Sequence, residues 1–295
     1  QIANISNVLQ QTAASAERVF EFLNETEEMP DVETPVIPAD IAGHVVFQNV
    51  HFGYTPDKIV INQFDATVSP GQRIAIVGPT GAGKTTMVKL LMRFYDVNDG
   101  AILVDGRDIR DFARHDLREI FAMVLQETWL YNDTIMENIR YGRAGATDEE
   151  VIAAARAAQV DHFVRTLPEG YETVINEEVT NISQGQKQLL TIARAVLADP
   201  QILILDEATS SVDTRTEVLI QRAMGSLMEG RTSFIIAHRL STIRDADWIL
   251  VMNQGDIVEQ GRHRDLLAQG GFYAELYNSQ FKYVEMEAAE SLALS

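Results

Sequence analysis

Gly78-Pro79-Thr80-Gly81-Ala82-Gly83-Lys84-Thr85 is a complete G-x-x-x-x-G-K-[ST] loop, and it decides how the rest of this 295-residue chain is read. An apolar run, Arg73-Ile74-Ala75-Ile76-Val77, leads into it, and a helix-forming stretch, Thr86-Met87-Val88-Lys89-Leu90-Leu91, leads out. Strand, loop and helix in that order are the context in which such a loop binds phosphate. Glycine lets the backbone curl until successive N–H groups point at one anion, and the helix N-terminus adds partial positive charge. Residues 78–86, Thr86 included, are expected to line the phosphates. Lys84 is placed to reach the β- and γ-phosphates, and the Thr85 hydroxyl to ligate Mg²⁺. The motif predicts nucleoside triphosphate binding.

Short apolar runs continue on both sides. Upstream, Val45-Val46-Phe47, Val50-His51-Phe52, Ile59-Val60-Ile61 and Phe64-Asp65-Ala66-Thr67-Val68 predict an antiparallel sheet feeding into the phosphate-loop strand. Downstream, Gly100 to Gly106 reads as a strand closed by an Asp-Gly turn, and Ile120 to Leu125 as a buried strand. The middle, about 127–199, is Ala-rich and helical, with Thr147-Asp148-Glu149-Glu150 in capping-box form. Strand–helix alternation then resumes with Ile202-Leu203-Ile204-Leu205, a helix near Thr216 to Met228, Ser233 to Ala237, and Trp248 to Val251. Solidly apolar strands alternating with helices indicate a parallel sheet covered on both faces.

Residues 1–29 read as one helix ending near Glu28, with Ile5, Leu9, Thr12, Ala16, Val19, Phe20 and Leu23 at three- and four-residue spacing. Such a helix needs a surface to pack on, and a chain beginning at Gln1 reads as a piece of a longer protein. Pro30, Pro35 and Pro38 make 30–40 an extended linker, and the tail 281–295 is acidic.

Ile202-Leu203-Ile204-Leu205-Asp206-Glu207 is an apolar strand ending in two carboxylates. In open α/β sheets ligands sit beyond the carboxyl ends of strands, where the phosphate loop also lies. Two charges at a buried strand end call for a compensating cation or substrate. Asp206 is the candidate Mg²⁺ holder, and Glu207 the candidate base that orients and deprotonates an attacking water.

Ser183-Gln184-Gly185-Gln186-Lys187-Gln188, roughly 20 residues before Asp206, resembles the signature motif L-S-G-G-Q of ATP-binding-cassette ATPases. Other segments fall in that family's order. Phe52-Gly53-Tyr54 looks like its adenine-stacking loop, Leu125-Gln126-Glu127 like its Gln loop, and Ile236-Ala237-His238-Arg239 like its switch-His strand end. Ser210-Ser211-Val212-Asp213 resembles the loop after the catalytic Glu, which adds Asp213 to the nucleotide-binding set. Asp133 to Gly142 and Gly255 to His263 are similar to the exporter subgroup, and Ser15 to Phe20 to the cytoplasmic end of an exporter's last transmembrane helix. The resemblance covers about 41–280. It implies a P-loop NTPase fold with a RecA-like parallel core sheet, an antiparallel β subdomain and the inserted helical subdomain at 127–199.

It also implies roles. Tyr54 stacks on adenine, Gln126 contacts Mg²⁺ or the lytic water and relays nucleotide state to transmembrane domains, and His238 contacts the γ-phosphate and positions Glu207 with its water. Ser183, Gly185 and Gln186 face the ATP of a second nucleotide-binding domain packed head to tail. Ser183 and Gln186 also have capping-box spacing, and a capped helix N-terminus is itself an anion site. The implied protein is an Mg²⁺-dependent ATPase on the cytoplasmic face of a membrane, powering efflux through a transmembrane domain of the same full-length chain.

Departures from the pattern are local. Gln184 stands where the family commonly has Gly, and Asn176 and Val179 replace glycines in a segment that resembles the coupling loop T-x-V-G-E-x-G, while Glu177 is kept. Lys84, Asp206, Glu207 and His238 all match the competent form. An intact catalytic set beside an altered signature suits one half of a heterodimer, with a homodimer carrying a harmless variant as the alternative.

The net charge of -19 speaks against nucleic acid or an anionic membrane surface as a partner. A soluble cassette ATPase of DNA repair or translation would carry long coiled-coil insertions or basic segments. Neither is present. Zero cysteines exclude disulfides and thiolate metal sites, and the six histidines show no zinc-type pairing. His51, Trp129 and Trp248 read as core or surface packing residues.

Overall fold

A computed structural model describes residues 1–25, 27–55, 57–125, 128–175, 182–206, 212–237 and 240–279. Helix α1 spans Ile2–Leu23 and stops short of the expected end near Glu28. Glu25, Glu27 and Glu28 would place three negative charges at the negative end of the helix dipole, which opposes extension. Among the described residues, no helix is long and apolar enough to cross a membrane.

The four upstream runs fold as two strands rather than four, β1 (Val45–Phe52) and β2 (Ile61–Val68), paired antiparallel. Irregularities between Phe47 and Val50 and between Val50 and Phe52 accompany left-handed Asn49 and Gln63, at φ 46° and 47°. A bulge puts one unpaired residue into a continuous strand, so a polar interruption imitates a loop. Next come β3 (Arg73–Val77), α2 (Lys84–Leu91), β4 (Asp99–Val104) and β5 (Arg107–Asp108). The Asp105-Gly106 turn has φ 48° and 79°, the pair of positive values that a two-residue hairpin requires. The Asp105 carboxylate accepts the N–H groups of Ala42 and His44 at 2.7 and 2.8 Å, which pins the end of the linker.

Helix α3 (Arg114–Glu119) and strand β6 (Phe121–Val124) lead into the middle region. There β7 (Asp133–Thr134), α4 (Ile135–Arg140), α5 (Asp148–Ala157), α6 (Asp161–Val164), β8 (Val174–Ile175) and α7 (Gln184–Ala198) follow. The stretch expected to be helical thus also holds a small β7–β8 ribbon, Asp133 opposite Ile175. The chain continues through β9 (Ile202–Asp206), α8 (Thr214–Met228), β10 (Thr232–Ile236), α9 (Leu240–Asp245), β11 (Trp248–Asn253), β12 (Asp256–Gly261) and α10 (His263–Gln269).

Six strands form the central sheet in the order β12-β11-β3-β10-β9-β6, parallel except for β12. The pleat sends alternate residues to opposite faces. Ile74, Ile76, Ile202, Ile204, Phe234 and Ile236 pack against α2 and the antiparallel sheet β2-β1-β4-β5. Ala75, Val77, Leu203, Leu205 and Ile235 pack against α7, α8 and the helical region. Both faces are covered, which is why these strands carry no polar alternation.

The linker is fastened by charge. Arg93, just past α2, and Arg114, at the start of α3, share the carboxylates of Asp31 and Asp96, and Arg114 also reaches Glu28. Arg93 sits in the left-handed region at φ 51° and closes α2 with two reverse bonds, Arg93 N–H to Leu90 O and Phe94 N–H to Lys89 O. This is a Schellman termination with arginine where glycine is usual.

Candidate nucleotide site

The phosphate loop leaves the end of β3 and enters α2 through Gly83, whose φ of 100° only glycine adopts without strain. A side chain at Gly78 would put its Cβ 2.2 Å from the Met252 carbonyl oxygen, so the loop lies directly against β11. The Lys84 ammonium folds over its own loop, donating to Gly78 O at 2.7 Å and Pro79 O at 2.9 Å. Burial lowers its pKa from the ordinary lysine value, and the Asp206 carboxylate raises it in opposition. An anion in the loop would satisfy the same ammonium, so these carbonyl bonds are the ones a phosphate replaces.

Strand order explains the convergence. β10 lies between β3 and β9, with Ile236 opposite Asp206 and also opposite Ile76. The phosphate loop, Asp206 and the strand end before Ala237 therefore meet at one edge of the sheet. A cleft of about 710 Å³ opens there, lined by Tyr54, Lys58, Thr80 to Thr86, Asp206 and Gln254 among others. The exposed Thr85 hydroxyl and the Asp206 carboxylate are hard oxygen donors of the kind Mg²⁺ takes, with phosphate and water oxygens completing its shell. Among the described residues, no group of three or more His, Cys, Asp or Glu could hold a metal alone.

Tyr54 stands at the cleft's other end, half-exposed. Its hydroxyl shares a 3.1 Å hydrogen bond with Thr86 Oγ1, and its ring meets the edges of Phe52 and Tyr95 at 5.0 and 5.1 Å. One ring face is thereby fixed relative to α2. Lys58 and Gln254 were not flagged by any motif. Lys58 closes a tight turn after Tyr54 through its bridge to Thr55, and Gln254 stands at φ 50° in the β11–β12 turn. The signals were a lysine within four residues of Tyr54 and the Gln-Gly turn itself.

The signature residues lie elsewhere. Ser183 caps α7: its hydroxyl accepts Gln186 N–H at 3.3 Å while Gln186 Oε1 accepts Ser183 N–H at 2.9 Å, the capping box expected from spacing. A Cβ on Gly185 would sit 2.5 and 2.7 Å from Thr216 Cγ2 and Val212 Cγ1, so this glycine lets α7 approach the start of α8. Asp213 caps α8 by accepting Thr216 N–H at 3.0 Å, and hydrogen bonds from the Thr216 side chain and then its backbone hold the Asp213 carboxyl below the usual range. Ser183, Gly185, Gln186 and Asp213 line no part of the cleft that holds Lys84. Gln126, Glu207 and His238 lie outside the described residues, as do Ser210, Ser211, Arg239, Asn176, Glu177 and Val179.

Trp129 is 60% exposed rather than packed inward. With Leu125, Tyr141 and Arg194 it lines a separate, mostly apolar groove of about 300 Å³ beside β6.

A glycine-cradled loop at the carboxyl edge of a parallel sheet, facing an acidic strand end, defines a P-loop nucleoside triphosphatase. The family model described as ABC transporter matches residues 61–210, half of the chain, and the chain belongs to that family. It is 59% identical over 276 residues to the fatty acid ABC transporter ATP-binding/permease protein of Mycobacterium bovis, covering 94% of this chain and 43% of that protein. It is 46% identical over 282 residues to the ATP-dependent lipid A-core flippase of Syntrophus aciditrophicus, covering 96% and 47%. Among solved structures, a bacterial Atm1-family ABC exporter with ATP bound matches with a TM-score of 0.82 at 44% identity, over 92% of this chain and 48% of that one. The chain spans about half the length of these relatives, and it is an ATP-binding ATPase domain of the ABC transporter family.

Proposed function

We propose that this domain hydrolyses ATP with Mg²⁺ at a composite site and so drives efflux through a transmembrane part at the cytoplasmic face of a membrane. The observation that carries this reading is the division of the site. The phosphate-loop cleft holds Lys84, Thr85 and Asp206, whereas Ser183, Gly185, Gln186 and Asp213 lie outside it. Two domains packed head to tail bring the capped N-terminus of one α7 over the cleft of the other.

In the composite site Tyr54 stacks on the adenine, Lys84 holds the β- and γ-phosphate oxygens, and Thr85 and Asp206, with Gln126, hold Mg²⁺. Bound Mg²⁺ neutralises charge developing on the phosphate oxygens. Glu207 orients water for in-line attack and accepts its proton, and His238 hydrogen-bonds the γ-phosphate and keeps Glu207 in place. The groove at Leu125, Trp129 and Tyr141 adjoins Gln126 in sequence. It offers an apolar seat for a permease part of the kind named in the Mycobacterium bovis relative. The second domain is a copy of this chain or a sister subunit. The transporter relatives give no support to a soluble ATPase of repair or translation.

Two experiments test the reading. Phosphate release by the wild-type chain should rise more steeply than linearly with protein concentration, because the site forms only on pairing. A strictly linear dependence would mean that one domain makes a whole site. Tyr54→Leu should weaken ATP binding about tenfold, the scale of losing one base–aromatic stack. Binding of inorganic tripolyphosphate, which has no base, should be unchanged. An equal loss for both ligands would remove Tyr54 from base recognition.

A further inference from the structure

Gln184, the residue that departs from the family's usual glycine, donates its side-chain amide to Thr128 Oγ1 at 3.0 Å. Gln184 is the first residue of α7, directly after the cap Ser183. Thr128 is the second residue after Gln126. A contact spanning 56 residues thus joins the signature to the exit of the Gln loop. Glycine at 184 could not make it.

A second anchor lies ten residues along the same helix. Arg194 donates to Trp129 O at 2.7 Å, Asn138 O at 2.5 Å and Asn138 Oδ1 at 2.7 Å. Its guanidinium also stacks between Tyr131 and Tyr141, 5.8 and 5.4 Å from their ring centroids. Asn138 is fully buried, and its amide closes the loop by bonding Tyr131, Asp133 and Thr134 backbone groups. The segment 128–141 is therefore gripped by α7 at two points roughly three helical turns, or about 15 Å, apart. The Arg194 grip is part-buried and multiple. The Gln184 grip is a single exposed bond, and it sits at the end of α7 that faces the partner's nucleotide.

We infer that Gln184 is a positioning residue: its bond to Thr128 makes the signature, the exit of the Gln loop and the apolar groove at Trp129 move as one unit. Each domain then links the ATP it covers on its partner to the segment that follows its own Gln loop. This inference rests on the composite-site reading above. On this account Gln184 is a second connection between the two sites and not a worn signature.

The test is a double-mutant cycle in the full-length transporter, read by ATP dependence of hydrolysis. Gln184→Gly and Thr128→Val should each raise KM for ATP about fivefold, the factor that one such hydrogen bond is worth, and lower the Hill coefficient from near two toward one. The double variant should do no more than either single one, and Thr128→Ser should retain wild-type values. A merely structural defect would lower Vmax and leave the Hill coefficient in place. Wild-type cooperativity that persists in Gln184→Gly, or additive effects in the double variant, would overturn the tether alone. A wild-type Hill coefficient of one would leave no coupling for the tether to carry and would overturn it, whereas phosphate release by the isolated domain that is strictly linear in protein concentration would overturn the composite-site reading and the tether with it.

Discussion

Glu207→Gln is expected to bind ATP as tightly as the wild type and to lose roughly 10² to 10⁴ in turnover. The amide keeps the size of the carboxylate and its capacity to hydrogen-bond water, and it has no basicity. Glu207 directly follows Asp206, whose carboxylate ends β9 and lines the phosphate-loop cleft. Loss of a positioned base touches only the chemical step, so binding and catalysis separate in this variant. ATP affinity by equilibrium binding and single-turnover phosphate release read the two independently. Turnover within a few-fold of wild type would take the base role away from Glu207.

Arg93→Met is expected to destabilise the domain by about 3 kcal/mol, the lower end of the cost of breaking a buried ion pair. The Arg93 side chain is only 4% exposed, pairs with Asp96 at 2.8 Å and Asp31 at 3.5 Å, and donates to the Phe112 carbonyl at 2.8 Å. Methionine fills the volume but leaves the Phe112 carbonyl without its donor and the Asp31 and Asp96 carboxylates with Arg114 alone. Asp31 and Asp96 retain some solvent contact, which limits the cost. The left-handed backbone at 93 stays strained in the variant, which keeps the backbone closure of α2 and loses the side-chain bonds. For a domain of this size the change corresponds to a fall of roughly 6 to 12 °C in melting temperature. A shift under about 1 °C would show that the carboxylates rehydrate freely. Because Arg93 terminates the helix that begins at Lys84 and also holds the linker after α1, the same variant loosens the path from α1 to the phosphate loop.

The parts of this fold legible in the sequence are those set by backbone chemistry and short periods. The glycine pattern of 78–83 records positive φ and a close approach to Met252, and the unbroken apolar strands record a sheet buried on both faces. The capping boxes at Thr147 and Ser183 formed as their three-residue spacing requires. Other features depend on tertiary partners and left no local trace. Asn49 and Gln63 look like loop residues because a bulge and a break have the same composition. Nothing near Asp31 points to Arg93, and nothing near Gln184 points to Thr128. Lys58 and Gln254 enter the cleft only because two turns distant in sequence fold onto the same phosphate loop.

The central claim is that each ATP site takes its phosphate loop from one domain and its signature from the other. It is tested most directly by where two inactivating substitutions are placed in the assembled transporter, each residue or its counterpart being changed in one subunit. Lys84→Ala in one subunit and Ser183→Arg in the other leaves one complete composite site, so ATPase activity should persist, at or below about half the wild-type level. Both substitutions in the same subunit spoil both composite sites and should abolish activity. The reverse outcome, activity with both changes in one subunit and none when they are split, would mean that each domain hydrolyses ATP by itself and would contradict the account.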